Sequence, residues 1–219
     1  MKRIILMKVC SWKMKNNNIV IVDYGMGNLR SVQKAFEKVG FAAVISDDPV
    51  LIKSADKLVL PGVGAIRDAI ARIRDTGLEK PILDHLHSDK PFFGICLGLQ
   101  MLFENCYEDG KHRGLGFYKG DVVKFSPVDG LKIPHMGWNH LDLQKDLQVF
   151  KSYPKGSGVY FVHSYFAVPE NPDIVAAYAN YPVPFAAAVG DNRRIATQFH
   201  PEKSQSVGLQ MLKHFAELS

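Results

Sequence analysis

The chain has 219 residues, 47% hydrophobic and 22% charged, a balance that excludes a disordered segment and suits one large core needing no metal or disulfide staple. Its formal net charge of +5 is scattered rather than gathered into a basic run interleaved with aromatics, which argues against nucleic-acid binding. Cys10, Cys96 and Cys106 stand at irregular spacing, so they give neither a disulfide framework nor a zinc signature and point to a reducing cytoplasm, and no apolar run reaches the roughly 18 residues of a membrane helix.

Residues 1–18 read as a basic, poorly ordered extension, too weakly apolar for a secretory core, with Met14 as an alternative start. Residues 19–219 read as a single domain. The run Ile19-Val20-Ile21-Val22-Asp23 predicts a strand buried on both faces. Asn28 is placed to cap a helix through Leu29, Val32, Phe36 and Val39, which Gly40 ends. Strands follow at 42–45 and 57–60, helices at 65–74 and 78–87, a strand at 91–95 and a helix at 98–105. This alternation predicts an α/β fold with a mostly parallel central sheet flanked by helices. Beyond it, short strands at 122–125, 140–143, 159–163, 174–178, 185–189 and 195–199 are separated by turn residues and predict an antiparallel region at one sheet edge. An amphipathic helix with Val207, Met211, Leu212 and Phe215 closes the chain.

The sharpest local signal is Gly94-Ile95-Cys96-Leu97-Gly98, between a predicted strand and a predicted helix. A nucleophile on such a turn needs small neighbours, and a helix N-terminus beyond it favours thiolate. The alternative is a small buried cysteine without chemistry. A thiolate nucleophile needs a proton shuttle. His200 is the first candidate, at a predicted strand end, with Glu202 two residues on to fix its tautomer. His163 is the second candidate base. Pro61-Gly62-Val63-Gly64 follows another strand, and its backbone can approach a ligand closely, so Gly62, Val63, Gly64 and Leu97 are candidates for holding an oxyanion. His85 and His87 are two apart on a helix and make a poor metal pair. No metal site and no cofactor are expected.

Together these segments resemble the class I (triad) glutamine amidotransferases, over Asn18 to about Ser219. Gly94 to Gln100 looks like their nucleophile motif and Phe199-His200-Pro201-Glu202 like their His–Glu motif. Four further stretches resemble the glutaminase subunits of imidazole glycerol phosphate synthases: Asp23 to Leu29, Pro61 to Gly64, Pro134-His135-Met136-Gly137-Trp138-Asn139 and Pro201 to Ser204. The resemblance implies a flavodoxin-like fold, with Cys96 attacking the side-chain amide of L-glutamine, His200 moving the proton and Glu202 orienting it. It further implies that Gln100, Glu108, Ser164 and Tyr165 contact glutamine, and that Trp138, Tyr160 and Lys203 face a (β/α)₈ cyclase subunit that completes a heterodimer and receives the ammonia. Val63 is implied to reorient when that partner is loaded. A triad glutaminase serving a surface-sugar, anthranilate or pyridoxal phosphate pathway remains an alternative. So do a stand-alone γ-glutamyl or cysteine hydrolase and a non-catalytic binding protein.

Overall fold

The computed structural model describes residues 15–219. Cys10 and most of the expected extension, residues 1–14, lie outside the described residues. The first strand, β1 (Lys15–Val22), starts four residues before Ile19. It lies between β2 (Phe41–Ser46) and β3 (Lys57–Gly62), and β3 is followed by β4 (Phe92–Cys96) and β14 (Arg194–Thr197), all parallel. The sheet then turns antiparallel through β13 (Pro184–Gly190), β12 (Val175–Asn180) and β9 (Asp142–Leu143). This eight-stranded arrangement bears out the expected parallel sheet with an antiparallel edge.

The middles of its central strands are apolar because both faces are covered. Alternation then divides them: Val59, Phe93 and Ile95 enter one core, Leu58, Leu60 and Phe92 the other. The first core is roofed by α1 (Leu29–Lys38) and α6 (Gln205–Ala216), where Phe215 packs against both Phe36 and Phe93. Burying each such ring contributes about 1.5–3 kcal/mol. The second is covered by α2 (Pro49–Ser54), α3 (Ile66–Asp75) and α4 (Glu79–His87) through Ile52, Ile66, Ile70, Ile73 and Ile82.

Several expectations need correction. The helix predicted over 98–105 is only α5 (Leu97–Gln100); the chain then extends into β5 (Phe103–Cys106). Residues 97–103 are all buried, so no polar face marks where helix gives way to strand. The predicted strand 140–143 is broken into β8 (His135–His140) and β9. Asn28 stands at the head of α1 without a side-chain cap bond. The second half is also not confined to the sheet edge. A four-stranded sheet orders β11 (Tyr165–Pro169), β7 (Tyr118–Lys124), β5 and β6 (His112–Arg113), and a separate ribbon pairs β8 with β10 (Gly158–His163). From these two small sheets, Val162 and His163 of β10 and Tyr165 of β11 line a cavity together with Cys96 and His200.

Candidate active site

Cys96 ends β4 and opens α5 with φ 54° and ψ −105°. A left-handed φ on a residue with a Cβ costs roughly 1–3 kcal/mol and persists only where its surroundings fix it. Here they do. A Cβ on Gly98 would lie 1.9 Å from the Leu60 carbonyl oxygen, and one on Gly94 would lie 2.9 Å from Cβ of Ala196. The flanking glycines are therefore a steric requirement of the turn. Gly62 lies opposite Cys96 in the β3–β4 register. A Cβ there would meet the Tyr24 hydroxyl at 2.5 Å and Leu97 Cβ at 2.8 Å, so the Gly62-Val63-Gly64 backbone runs close past the elbow. The Tyr24 hydroxyl donates to the Pro61 carbonyl at 3.0 Å and anchors that segment. Burial first, then the charges of Cys96 and Asp23, raise its pKa and keep it a donor.

His200 follows β14, the strand beside β4, and its backbone N–H donates to Tyr160 O at 2.9 Å. Its Nδ1 lies 2.8 Å from Glu202 Oε1, and the two side chains are only 2% and 3% exposed. Nδ1–H donates to the carboxylate, which leaves Nε2 as the working nitrogen. Nε2 makes no hydrogen bond. Burial alone would lower the pKa of His200, but the Cys96 sulfur, followed by Glu202, outweighs it and raises the value to about 10. His200 is thus favoured as imidazolium.

Cys96 and His200 share a cavity of about 380 Å³ with Val63, Gly64, Leu97, Gln100, Glu108, Ser164 and Tyr165. Every residue picked out for the oxyanion or for substrate lines this space except Gly62, which lies in a cleft behind His200 and Glu202. Glu108 Oε2 accepts from the Ile66 N–H at 2.7 Å, a carboxylate at the N-terminus of α3. Gln100 Nε2 donates to Tyr165 O at 2.8 Å and to Gln198 Oε1 at 3.1 Å.

His163 also lines the cavity, but its ring is occupied. Nδ1 is 2.9 Å from Tyr165 O and Nε2 is 3.1 Å from His135 Nδ1. A carbonyl accepts only, so His163 Nδ1 carries the hydrogen, Nε2 accepts, and His135 must donate from Nδ1. His135 Nε2 then accepts from Asn139 at 3.4 Å. Burial drives both imidazoles neutral, His163 to about 3 and His135 to about 4. His163 is therefore a structural link, with neither ring nitrogen free, whereas His200 Nε2 is unpartnered. Trp138, Tyr160 and Lys203 lie outside the cavity on the β8–β10 ribbon and the adjoining turn. Trp138 is 51% exposed, its ring is 5.9 Å from that of Tyr160, and Lys203 Nζ is 5.8 Å from the same tyrosine ring. Pro134 and His135 were legible only as part of a resembling stretch, without a role of their own, and Gln198 was given no role. For Gln198 a signal existed, its place two residues before His200 on one strand end. Among the described residues no cluster of His, Cys, Asp or Glu could hold a metal ion, and no helix is long and apolar enough to cross a membrane.

The family model of the class-I glutamine amidotransferases matches residues 20–218. The chain belongs to the class-I glutamine amidotransferase family. The amidotransferase is 54% identical over 205 residues to the imidazole glycerol phosphate synthase subunit HisH of Syntrophotalea carbinolica, covering 91% of this chain and 100% of that one. It is 54% identical over 198 residues to the HisH subunit of Rhodopirellula baltica (90% of this chain, 96% of that one) and 49% over 197 to that of Aquifex aeolicus (90% and 94%). Its fold is similar to that of PurLQS from Thermotoga maritima, with a TM-score of 0.68 and 20% identity over 90% of this amidotransferase and 94% of that chain. A crystallised glutamine amidotransferase gives 0.66 at 18% identity, over 91% and 99%.

Proposed function

We propose that this chain is the glutaminase subunit of an imidazole glycerol phosphate synthase, hydrolysing L-glutamine through a Cys96 thioester and passing the ammonia to a (β/α)₈ cyclase subunit for histidine biosynthesis. The observation that carries the reading is the meeting of Cys96 in one cavity with His200, itself bonded to the buried Glu202 carboxylate. Relatives that match along nearly their whole length and are named as subunits of that synthase supply the acceptor.

Cys96 thiolate attacks the amide carbon, and the oxyanion is met by backbone N–H groups of the Val63 and Leu97 segments, with Gly62 and Gly64 allowing the close approach. His200 Nε2–H gives its proton to the departing nitrogen, and ammonia leaves. Water then attacks the thioester, His200 takes its proton, and glutamate and thiolate are released; the balance is glutamine plus water to glutamate plus ammonia. Glu202 holds the Nδ1–H tautomer and stabilises the imidazolium. Gln100, Glu108, Ser164 and Tyr165 hold the amino-acid end of the substrate. Trp138, Tyr160 and Lys203 face the cyclase.

Glutamate release by the chain alone, then with the cyclase subunit and its nucleotide, tests this. Release is expected to be slow alone, to rise strongly with the loaded partner, and to vanish in Cys96→Ser. Equal release with and without the partner, or turnover that survives Cys96→Ser, overturns it.

A further inference from the structure

The β14–β4 register sets Thr197 beside Ile95. The next residue along each segment, Gln198 just past β14 and Cys96 at the end of β4, therefore come abreast at the carboxyl edge of the sheet. Side chains alternate there, so Gln198 and His200 point toward the sulfur while Phe199 enters the core. Gln198 is fully buried, in a place where an apolar side chain would avoid the cost of desolvating an amide. Its orientation is fixed. Both hydrogens of Gln100 Nε2 are in use, one on Tyr165 O and one on Gln198 Oε1. Flipping the Gln198 amide would set two NH₂ groups against each other. With its oxygen held, Gln198 turns Nε2 to Cys96 and donates to Sγ at 3.7 Å.

We propose that Gln198 is a positioning residue for the nucleophile, its amide N–H holding the Cys96 sulfur in place and stabilising it as thiolate. The proposal rests on the reading of Cys96 as nucleophile. Hydrogen bonds to an ionised acceptor are roughly twice as strong as neutral ones, so a donor aimed at sulfur favours the thiolate over the thiol. His200 Nε2 makes no hydrogen bond here and must in any case release its proton during turnover. Gln198 never does. It holds the sulfur while the imidazole is neutral, and again when thiolate departs from the hydrolysed thioester. Gln100 thereby acquires a second task, since it sets the Gln198 amide as well as lining the substrate cavity.

The test is the pH dependence of iodoacetamide alkylation at Cys96, followed peptide by peptide so that Cys10 and Cys106 do not contribute. Gln198→Met removes the donor without adding charge, and Gln198→Glu keeps the acceptor for Gln100 while removing the donor. Both should move the midpoint up by about one pH unit or more. With the partner present, kcat should fall on the order of tenfold while the KM for glutamine stays within about twofold. In the unsubstituted chain, the Gln198 side-chain amide resonances should shift at the Cys96 midpoint and stop shifting in Cys96→Ala, a measurement that needs no Gln198 variant to fold. A midpoint unmoved in either folded variant, or resonances flat across the Cys96 titration, overturns the proposal. Failure of the glutaminase assay with a shifted alkylation midpoint would strike the functional reading and leave this inference standing.

Discussion

Cys96 holds a left-handed backbone that its own Cβ disfavours, and the strain is carried by contacts with no slack. Gly98 bears the most, because the atom its Cβ would meet is the Leu60 carbonyl oxygen, a backbone atom of a central strand that cannot rotate away. Gly98→Ala is therefore expected to destabilise the domain by more than about 3 kcal/mol, in the range reserved for overpacking and strained backbone. A urea denaturation midpoint measured against the parent chain checks this. Gly94→Ala meets Cβ of Ala196 at 2.9 Å and Gly98 O at 3.1 Å, and should cost less because its nearest contact is far longer than the 1.9 Å at Gly98. An unchanged midpoint in Gly98→Ala would mean that the turn is looser than its geometry.

At the scale of elements, the parallel strands and the helices over them were legible because a doubly covered strand has one sequence form, a short β-branched run between turn signals. The elbow was legible too, since glycines flanking a cysteine between a strand and a helix have few other uses. In the β8–β10 ribbon, β10 was legible as the strand expected at 159–163, but β8 was not. His135, Gly137 and Asn139 are poor strand formers, and what holds β8 is a hydrogen-bonded chain from Asn139 through His135 and His163 to Tyr165 O, which no local pattern reveals. α5 was misread in length because residues 97–103 are buried on every side. The histidine chain predicts a pH dependence. Both imidazoles have pKa values below the ordinary 6.5, at about 3 and about 4. The unfolded chain therefore binds more protons than the folded one between those limits, and stability falls as pH drops below about 6.5. His200 has the opposite sign: its contribution is complete below 6.5 and is lost as pH rises through about 10, so it does not offset the acid slope. Each neutral histidine adds up to about 1.4 kcal/mol per pH unit near pH 5. Urea midpoints between pH 7 and pH 4.5 should show that slope, and His135→Gln with His163→Gln should flatten it. A slope preserved in the double variant would place the acid sensitivity elsewhere.

Across the whole molecule, the cavity and the exposed ribbon are joined by backbone. Trp138 of β8 pairs with Tyr160 of β10, and Tyr160 O accepts from the His200 N–H at 2.9 Å while Tyr160 N donates to Ser204 Oγ at 2.9 Å. Ser204 in turn bonds the His200 carbonyl at 2.6 Å. A body docking on Trp138 and on Met136, which is 66% exposed, therefore presses on a strand that holds the proposed base from both sides of its peptide. Two large apolar side chains on one ribbon are what a partner surface would cover. Trp138→Ala is expected to lower partner-stimulated glutamate release by on the order of tenfold or more, the usual weight of a buried interface tryptophan. The alkylation rate of Cys96 in the isolated chain should stay at its parent value, because the indole does not line the cavity. Measuring both on the same preparation separates lost docking from a damaged site. Full stimulation in Trp138→Ala would move the interface off this ribbon and leave the Tyr160–His200 link without a mechanical role.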